Sequence, residues 1–262
     1  MNGSLPALFD AHFHVIDPRF PLVANHGYLP PPFTVDDYLA ASEHLGLVGG
    51  AVVSGSFQHF DQRYLIDALD RLGPRFVGVT QLPETVTDEE LLHLEEVGVR
   101  AVRFNLHRCG SDGLQHLDAL ARRVHEIARW HAELYLDARN LPDLMPTLST
   151  LPQVSIDHLG ISGGGLPYLL DLVERGAKVK ASGFGRCDMD IRASLRAVAA
   201  VNPGALMVGS DLPSTRAPRP FSYEDLVLVC EALGAEIAAA AFSQNALELY
   251  RPRRTSAERP GL

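Results

Sequence analysis

"LFDAHFHV", Leu8–Val15, is a short apolar run punctuated by polar residues, and it lies close to the start of the chain. It reads as a strand. Side chains at i and i+2 of a strand share a face, so His12 and His14 point into one environment while Phe13 points into the opposite one. The same kind of run recurs seven times: "GGAVVSG" (49–55), "RFVGVTQL" (75–82), "GVRAVRFNL" (98–106), "AELYLDAR" (132–139), "QVSIDHLG" (153–160), "AKVKASG" (177–183) and "ALMVGSD" (205–211). Helix-like segments such as "LQHLDALARRVHEIARWH" (114–131) separate them. Eight strand and helix units in this length predict a closed parallel (β/α)8 barrel, an α/β fold of one domain over 1–250. An open doubly wound sheet usually stops at five or six strands.

Composition narrows the partners. The 262 residues are 46% hydrophobic and carry a formal net charge of -9 without a basic cluster. Nucleic acid and anionic membranes are therefore disfavoured, and a small-molecule ligand is expected. The first residues lack the positive start and apolar stretch of a secretion signal, and no run reaches membrane-spanning length, so a cytoplasmic location is expected. Cys109, Cys187 and Cys230 are odd in number and far apart, which reads as three reduced thiols.

Several segments lie outside the repeating pattern. "DPRFPLVANHGYLPPPF" (17–33) is a Pro-rich insertion after the first strand, placed where a barrel carries an active-site loop, and should help roof the pocket. "LGISGGG" (159–165) reads as a flexible link after strand six. "FSYEDLVLVCEALG" and "AEIAAAAFSQNALELY" (221–250) read as helices covering the barrel wall, and the tail from Arg251 to Leu262 as frayed. "GISGG" (160–164) matches G-x-S-x-G, but all eleven histidines lie at or before His158, against the chain order a serine hydrolase needs.

Chemistry in a barrel sits where strands end. Those ends supply His12 and His14, Ser54 and Ser56, Gln81, Arg103 and Asn105, Tyr135 and Asp137, Asp157 and His158, Lys180 and Ser182, and Asp211. A buried histidine is more often a satisfied core residue than a ligand, yet His158 and Asp211 at two further ends favour function. Lys180 reads either as an interior cation or as a side chain that snorkels outward.

The order of "DAHFHV" (10–15), "DHLG" (157–160) and "GSDLP" (209–213) resembles the amidohydrolase superfamily. "GYLPP" (27–31), "SGSFQHFDQRYL" (54–65), "VRAVRFNL" (99–106) and "LYLDARNLPDL" (134–144) are similar to its 2-pyrone-4,6-dicarboxylate lactonase branch. This implies hydrolysis of a carboxylated lactone without a required metal. Asp211 would activate water while His12, His14 and His158 polarise the ester carbonyl. Arg103, Arg108 and Arg186 would face substrate carboxylates, with Tyr28, Ser56 and Tyr135 as further contacts. Arg108 and Arg186 read equally as solvated loop residues. The superfamily's usual strand-four and strand-five metal ligands are replaced by Arg103 and Tyr135, and a guanidinium there should repel a cation. A zinc ion on His12, His14, His158 and Asp211 remains the alternative, as in a zinc-dependent decarboxylase or another metal-dependent amidohydrolase. A non-catalytic barrel that binds carboxylates is a third reading. Ile161 stands where the branch carries an arginine after "DHLG", which leaves the exact lactone open.

Overall fold

A computed structural model describes residues 5–109 and 114–253, with the side chain of Cys109 left out. Strands β1 (Leu8–Phe13), β2 (Leu47–Val53), β3 (Phe76–Thr80), β4 (Val99–Asn105), β5 (His131–Tyr135), β6 (Val154–Ile156), β7 (Lys178–Ala181) and β8 (Leu206–Val208) lie in sequence order in one sheet. Each is parallel to the next. The expected eight strands and (β/α)8 fold are present. Between β8 and β1 the gap is bridged by Asp211 N–H donating to the His12 carbonyl at 2.7 Å and His14 N–H to that of Leu212 at 2.8 Å. Gly209 permits that approach, because a Cβ there would lie 2.7 Å from the His12 nitrogen.

The helices are α1 (Val35–Ser42), α2 (Arg63–Leu72), α3 (Asp88–Val97), α4 (Leu106–Cys109), α5 (Leu117–Ala128), α6 (Leu141–Leu148), α7 (Leu166–Glu174), α8 (Ile191–Val201), α9 (Tyr223–Leu233), α10 (Ala235–Ala239) and α11 (Asn245–Tyr250). Their apolar faces and the outward strand residues form one buried layer around the barrel. Phe13 points into that layer and stacks on Tyr38 of α1 at 3.6 Å. A second cluster fills the barrel's lower interior, with Phe9, Ala11, Ala51, Val77 and Met207 packed against Leu249 and Tyr250. The register of β1 shifts between Asp10 and Phe13, so Ala11 joins this plug while His12 still faces the interior above it.

Four expectations about segments change in detail. The helix read over 114–131 ends at Ala128, because Arg129 adopts a left-handed conformation, φ 58°, and His131 already belongs to β5. The stretch 159–165 is packed and not a flexible link, since a Cβ on Gly165 would meet the Ala138 backbone at 2.3 Å. The last helices cover the wall, but α11 also plugs the lower end of the barrel with Tyr250. In the tail, Arg251 to Arg253 are held by hydrogen bonds such as Arg253 to the Glu96 carbonyl at 3.1 Å. Residues 254–262 lie outside the described residues. Among the described residues no helix is long and apolar enough to cross a membrane.

Candidate active site

Strand ends bring His12, His14, His158 and Asp211 into one buried cluster. The Nε2 atoms of the three imidazoles lie 3.9, 3.7 and 3.9 Å from Asp211 Oδ1, in that order. These separations are too long for direct hydrogen bonds. Both Asp211 Oδ1 and His12 Nε2 are buried with no hydrogen-bond partner. Buried polar atoms left unmatched in this way mark a place built for something else to enter.

The opposite ring nitrogens are occupied. His14 Nδ1 lies 2.7 Å from the Val53 carbonyl and donates to it, so a neutral His14 presents its Nε2 lone pair to the cluster. His158 Nδ1 meets Ser182 Oγ at 3.0 Å. His12 Nδ1 sits between Asp157 Oδ1 at 3.3 Å and Lys180 Nζ at 3.2 Å. Burial holds the His12 ring well below the usual histidine range despite Asp157 beside it, and pushes His158 down to about 4 despite Asp211 and Asp157. His12 and His158 are therefore neutral near pH 7.

Asp211 is placed by the β8 turn, in a left-handed conformation with φ 61°. Its Oδ2 accepts from Arg186 Nε at 2.7 Å. Burial opposes ionisation of Asp211, but its neighbours His158 and Arg186 outweigh it and hold the carboxyl well below its ordinary value. The β1–β8 junction has its own buried support. Asp10 accepts from Ser210 N at 2.8 Å, Ser210 Oγ at 2.6 Å and Tyr38 OH at 3.2 Å, and burial pushes its carboxyl up to about 6.

Beneath the histidines lies an ion network. Arg103 donates to Asp157 Oδ2 from Nη2 at 2.7 Å and from Nε at 3.2 Å, and to the Ser54 carbonyl at 2.7 Å. Lys180 Nζ is 2.6 Å from Glu133 Oε1 and 3.5 Å from Asp157 Oδ1. Tyr250 OH donates to Glu133 Oε2 at 3.0 Å. Lys180 is thus the interior cation. By formal charge, the buried Arg103, Lys180 and Arg186 balance Glu133, Asp157 and Asp211. Removing six charged groups from water is costly, so such a network indicates a requirement of the site more than a source of stability.

Two of the three expected substrate arginines are already paired. Arg103 points inward and lines the pocket, but its principal partner is Asp157; Arg186 is held by Asp211. The expectation that Arg103 repels a cation loses its force, because Asp157 neutralises it at contact distance. Arg108 makes no ion pair among the described residues, and neither does Arg216, a residue of the β8 loop that no sequence pattern singled out. Both line the cavity above the histidines, with Tyr28, Ser56 and Asn105. Tyr135, also in the lining, is edge-on to His158 at 5.2 Å and lies below the guanidiniums of Arg103 and Arg108, at 5.4 and 6.0 Å.

Other candidates fall away from this centre. Ser162 of the G-x-S-x-G match is buried and donates to Asp188 at 3.3 Å. Asp137 is paired with Arg139. Burial pushes the Cys187 thiol up to about 12 and also raises that of Cys230, so neither is an activated nucleophile.

The residues fit a divalent metal by donor type. His12, His158 and Asp211 converge closely enough to hold zinc, and the unmatched His12 Nε2 and Asp211 Oδ1 support that fit; the expected fourth ligand, His14, approaches Asp211 at 3.7 Å but does not converge with the other three. A second group, His12, Glu133 and Asp157, has the same chemistry, but the Lys180 ammonium already lies within it.

Comparison with known proteins agrees with this geometry. The amidohydrolase family model matches residues 9–251. A 2-pyrone-4,6-dicarboxylate hydrolase of Comamonas testosteroni is 33% identical over 162 residues, which is 60% of this chain and 53% of that protein. The match thus spans about half the length of that relative. A 4-sulfomuconolactone hydrolase of Rhizobium radiobacter is 29% identical over 228 residues, 78% of this chain and 75% of that one. A Pseudomonas putida structure, described as a candidate 2-pyrone-4,6-dicarboxylic acid hydrolase, superposes with a TM-score of 0.77 at 28% identity, covering 94% of this chain and 97% of that one. A fold of eight parallel strands, a histidine pair at the end of the first, and a match running almost from end to end place the chain in the amidohydrolase family.

Proposed function

We propose that this protein hydrolyses a carboxylated lactone, such as 2-pyrone-4,6-dicarboxylate or a related ring, and does so without a required metal. The observation that carries the reading is Asp211 Oδ1, unpartnered and faced by three imidazoles, beneath a cavity lined by two arginines that lack carboxylate partners among the described residues. A water bridging these groups would lie within reach of Asp211 as proton acceptor, and the His14 Nε2 lone pair would help orient it. Attack on the ring ester puts negative charge on the carbonyl oxygen. His158 can donate to that oxygen when Ser182 Oγ–H donates to its Nδ1, and His12 can do so when Lys180 donates to its Nδ1. His14 cannot share that role while neutral, which narrows the expectation that all three histidines polarise the carbonyl. Ring opening then passes the proton held by Asp211 to the leaving oxygen, and the new carboxylic acid releases its own proton to solvent, leaving a carboxylate on one side and a hydroxyl on the other. The names of the relatives support lactone hydrolysis.

Metal independence is supported by the balanced charge of the buried network and by Arg186, which already occupies one oxygen of Asp211. The unmatched His12 Nε2 favours a second reading in which zinc is held by His12, His158 and Asp211. Bound zinc would supply Lewis-acid polarisation and a more acidic water. The His12 tautomer separates the two readings: Nδ1–H donating to Asp157 frees the Nε2 lone pair for an ion, whereas Lys180 donating to Nδ1 makes Nε2–H a donor.

A panel of pyrone and sugar-derived lactones, assayed with wild type and Asp211→Asn, tests the proposal. The expected result is turnover of carboxylated rings, with kcat about 10²–10⁴-fold lower in the variant and affinity retained. Binding without turnover by the wild type would instead identify a carboxylate-binding barrel.

A further inference from the structure

The geometry points to Arg216 as a specificity residue of this site, one that with Arg108 grips an oxyanion on the lactone ring and so selects charged over uncharged lactones. The inference rests on the lactone-hydrolase reading and adds a residue to it. Arg216 adopts φ 59°, in a stretch where Asp211 (φ 61°) and Ser214 (φ 65°) are also left-handed. Non-glycine residues keep such conformations only when their surroundings impose them, and these cluster where position matters.

The surroundings are specific. The Arg216 guanidinium lies 4.1 Å above the Tyr28 ring. Its Nη1 donates to Asn25 Oδ1 at 3.0 Å and its Nη2 to the Asn25 carbonyl. Asn25 and Tyr28 are the ends of a small hairpin in the insertion, paired at 3.0 and 3.1 Å in the two directions. His26 and Gly27 form its turn, with φ of 49° and 74°, the two positive values a tight hairpin of this kind needs. The His26 ring meets the Arg108 carbonyl at 3.1 Å. One hairpin thus holds the Arg216 guanidinium and touches the Arg108 backbone at the cavity mouth.

Every acceptor that Arg216 uses is neutral. Its Nε–H and one hydrogen on each terminal nitrogen have no partner among the described residues. Burial and the Arg108 charge both lower the pKa of Arg216, as expected of two cations held near one another without an anion between them. A planar carboxylate or a sulfonate would supply that anion, and a guanidinium fork binds either with charge-assisted hydrogen bonds.

The competing account is that Arg216 is only a strut tying the hairpin to the β8 loop. Isothermal calorimetry with benzene-1,3-dicarboxylate, a planar non-hydrolysable dianion, separates the two, with 3-sulfobenzoate as the sulfonate arm. Arg216→Gln should weaken the dicarboxylate about 10–100-fold. Asn25→Ala, which cuts the strut but keeps the charge, should weaken it less than about threefold. In kinetics, Arg216→Gln should raise KM for a carboxylated pyrone and leave KM for its ring amide unchanged. Equal losses in the two variants, wild-type affinity in Arg216→Gln, or no binding of either probe by the wild type would overturn the inference. Binding that depends on Arg216 in a protein that opens no lactone would instead overturn the functional reading and leave this one standing.

Discussion

Asp157 shows how far one residue's environment can decide another's role. Arg103 donates to it from two nitrogens, His12 and Lys180 approach its other oxygen, and none of the four is exposed to water beyond a few per cent. Burial alone would push the Asp157 carboxyl up, yet its neighbours His12, Arg103 and Lys180 hold it well below its ordinary value. Deleting one partner of a buried pair leaves an uncompensated charge. Arg103→Met should therefore lower unfolding stability by about 3–5 kcal/mol in urea titration. An Arg103→Met/Asp157→Leu double variant should recover part of that loss, and a single variant as stable as wild type would show that the pair does not need both members. At this scale the sequence was legible where strand alternation applied. His12, His14, His158 and Arg103 face the interior as read, and of the two readings of Lys180 the interior one holds. The same alternation that places Tyr135 inside also places Glu133 inside, a signal present in "AELYLDAR". That Arg103 and Arg186 answer to Asp157 and Asp211 was not legible, because pairing across the barrel depends on three-dimensional spacing.

The strand β5 begins with His131, whose two ring nitrogens are buried without a hydrogen-bond partner; its nearest carboxylate oxygen, on Glu133, is 3.8 Å away. Burial lowers its pKa, so the folded ring stays neutral where an unfolded one would be protonated. The unfolded chain then binds the extra proton below about pH 6.5, and stability must fall as pH drops through that range. His131→Phe removes one such group. Its unfolding free energy should vary less with pH between about 6.5 and 5, by up to about 1.4 kcal/mol per pH unit relative to wild type, in denaturant titrations across that window. An unchanged slope would mean that His131 is protonated in the folded state. The element boundaries that the sequence missed have local causes. The end of α5 is set by a left-handed arginine where a glycine is the usual signal, and the "ISGGG" stretch uses its glycines for close approach and not for mobility.

Across the whole molecule, an acidic surface surrounds a mouth where Arg108 and Arg216 carry positive charge without an ion pair among the described residues. An anionic substrate is drawn to that local positive charge, and salt weakens the attraction. KM for a carboxylated lactone should rise as ionic strength increases from about 0.05 to 0.5 M, while KM for its neutral amide stays constant. Equal responses would deny the mouth its role in binding. The barrel itself was readable because eight alternating segments admit few other folds. The Arg216 loop was not, since a turn held by left-handed residues and a stacking tyrosine follows no periodic pattern. The sequence directs the metal question to the strand ends but leaves out the charges of Asp157 and Glu133, which pair there with Arg103 and Lys180. Turnover of a carboxylated lactone by protein stripped with chelator, its metal content measured below one ion per hundred chains, tests the account most directly. Full activity that collapses in Asp211→Asn is the result predicted here; activity that is absent until zinc is restored would contradict it.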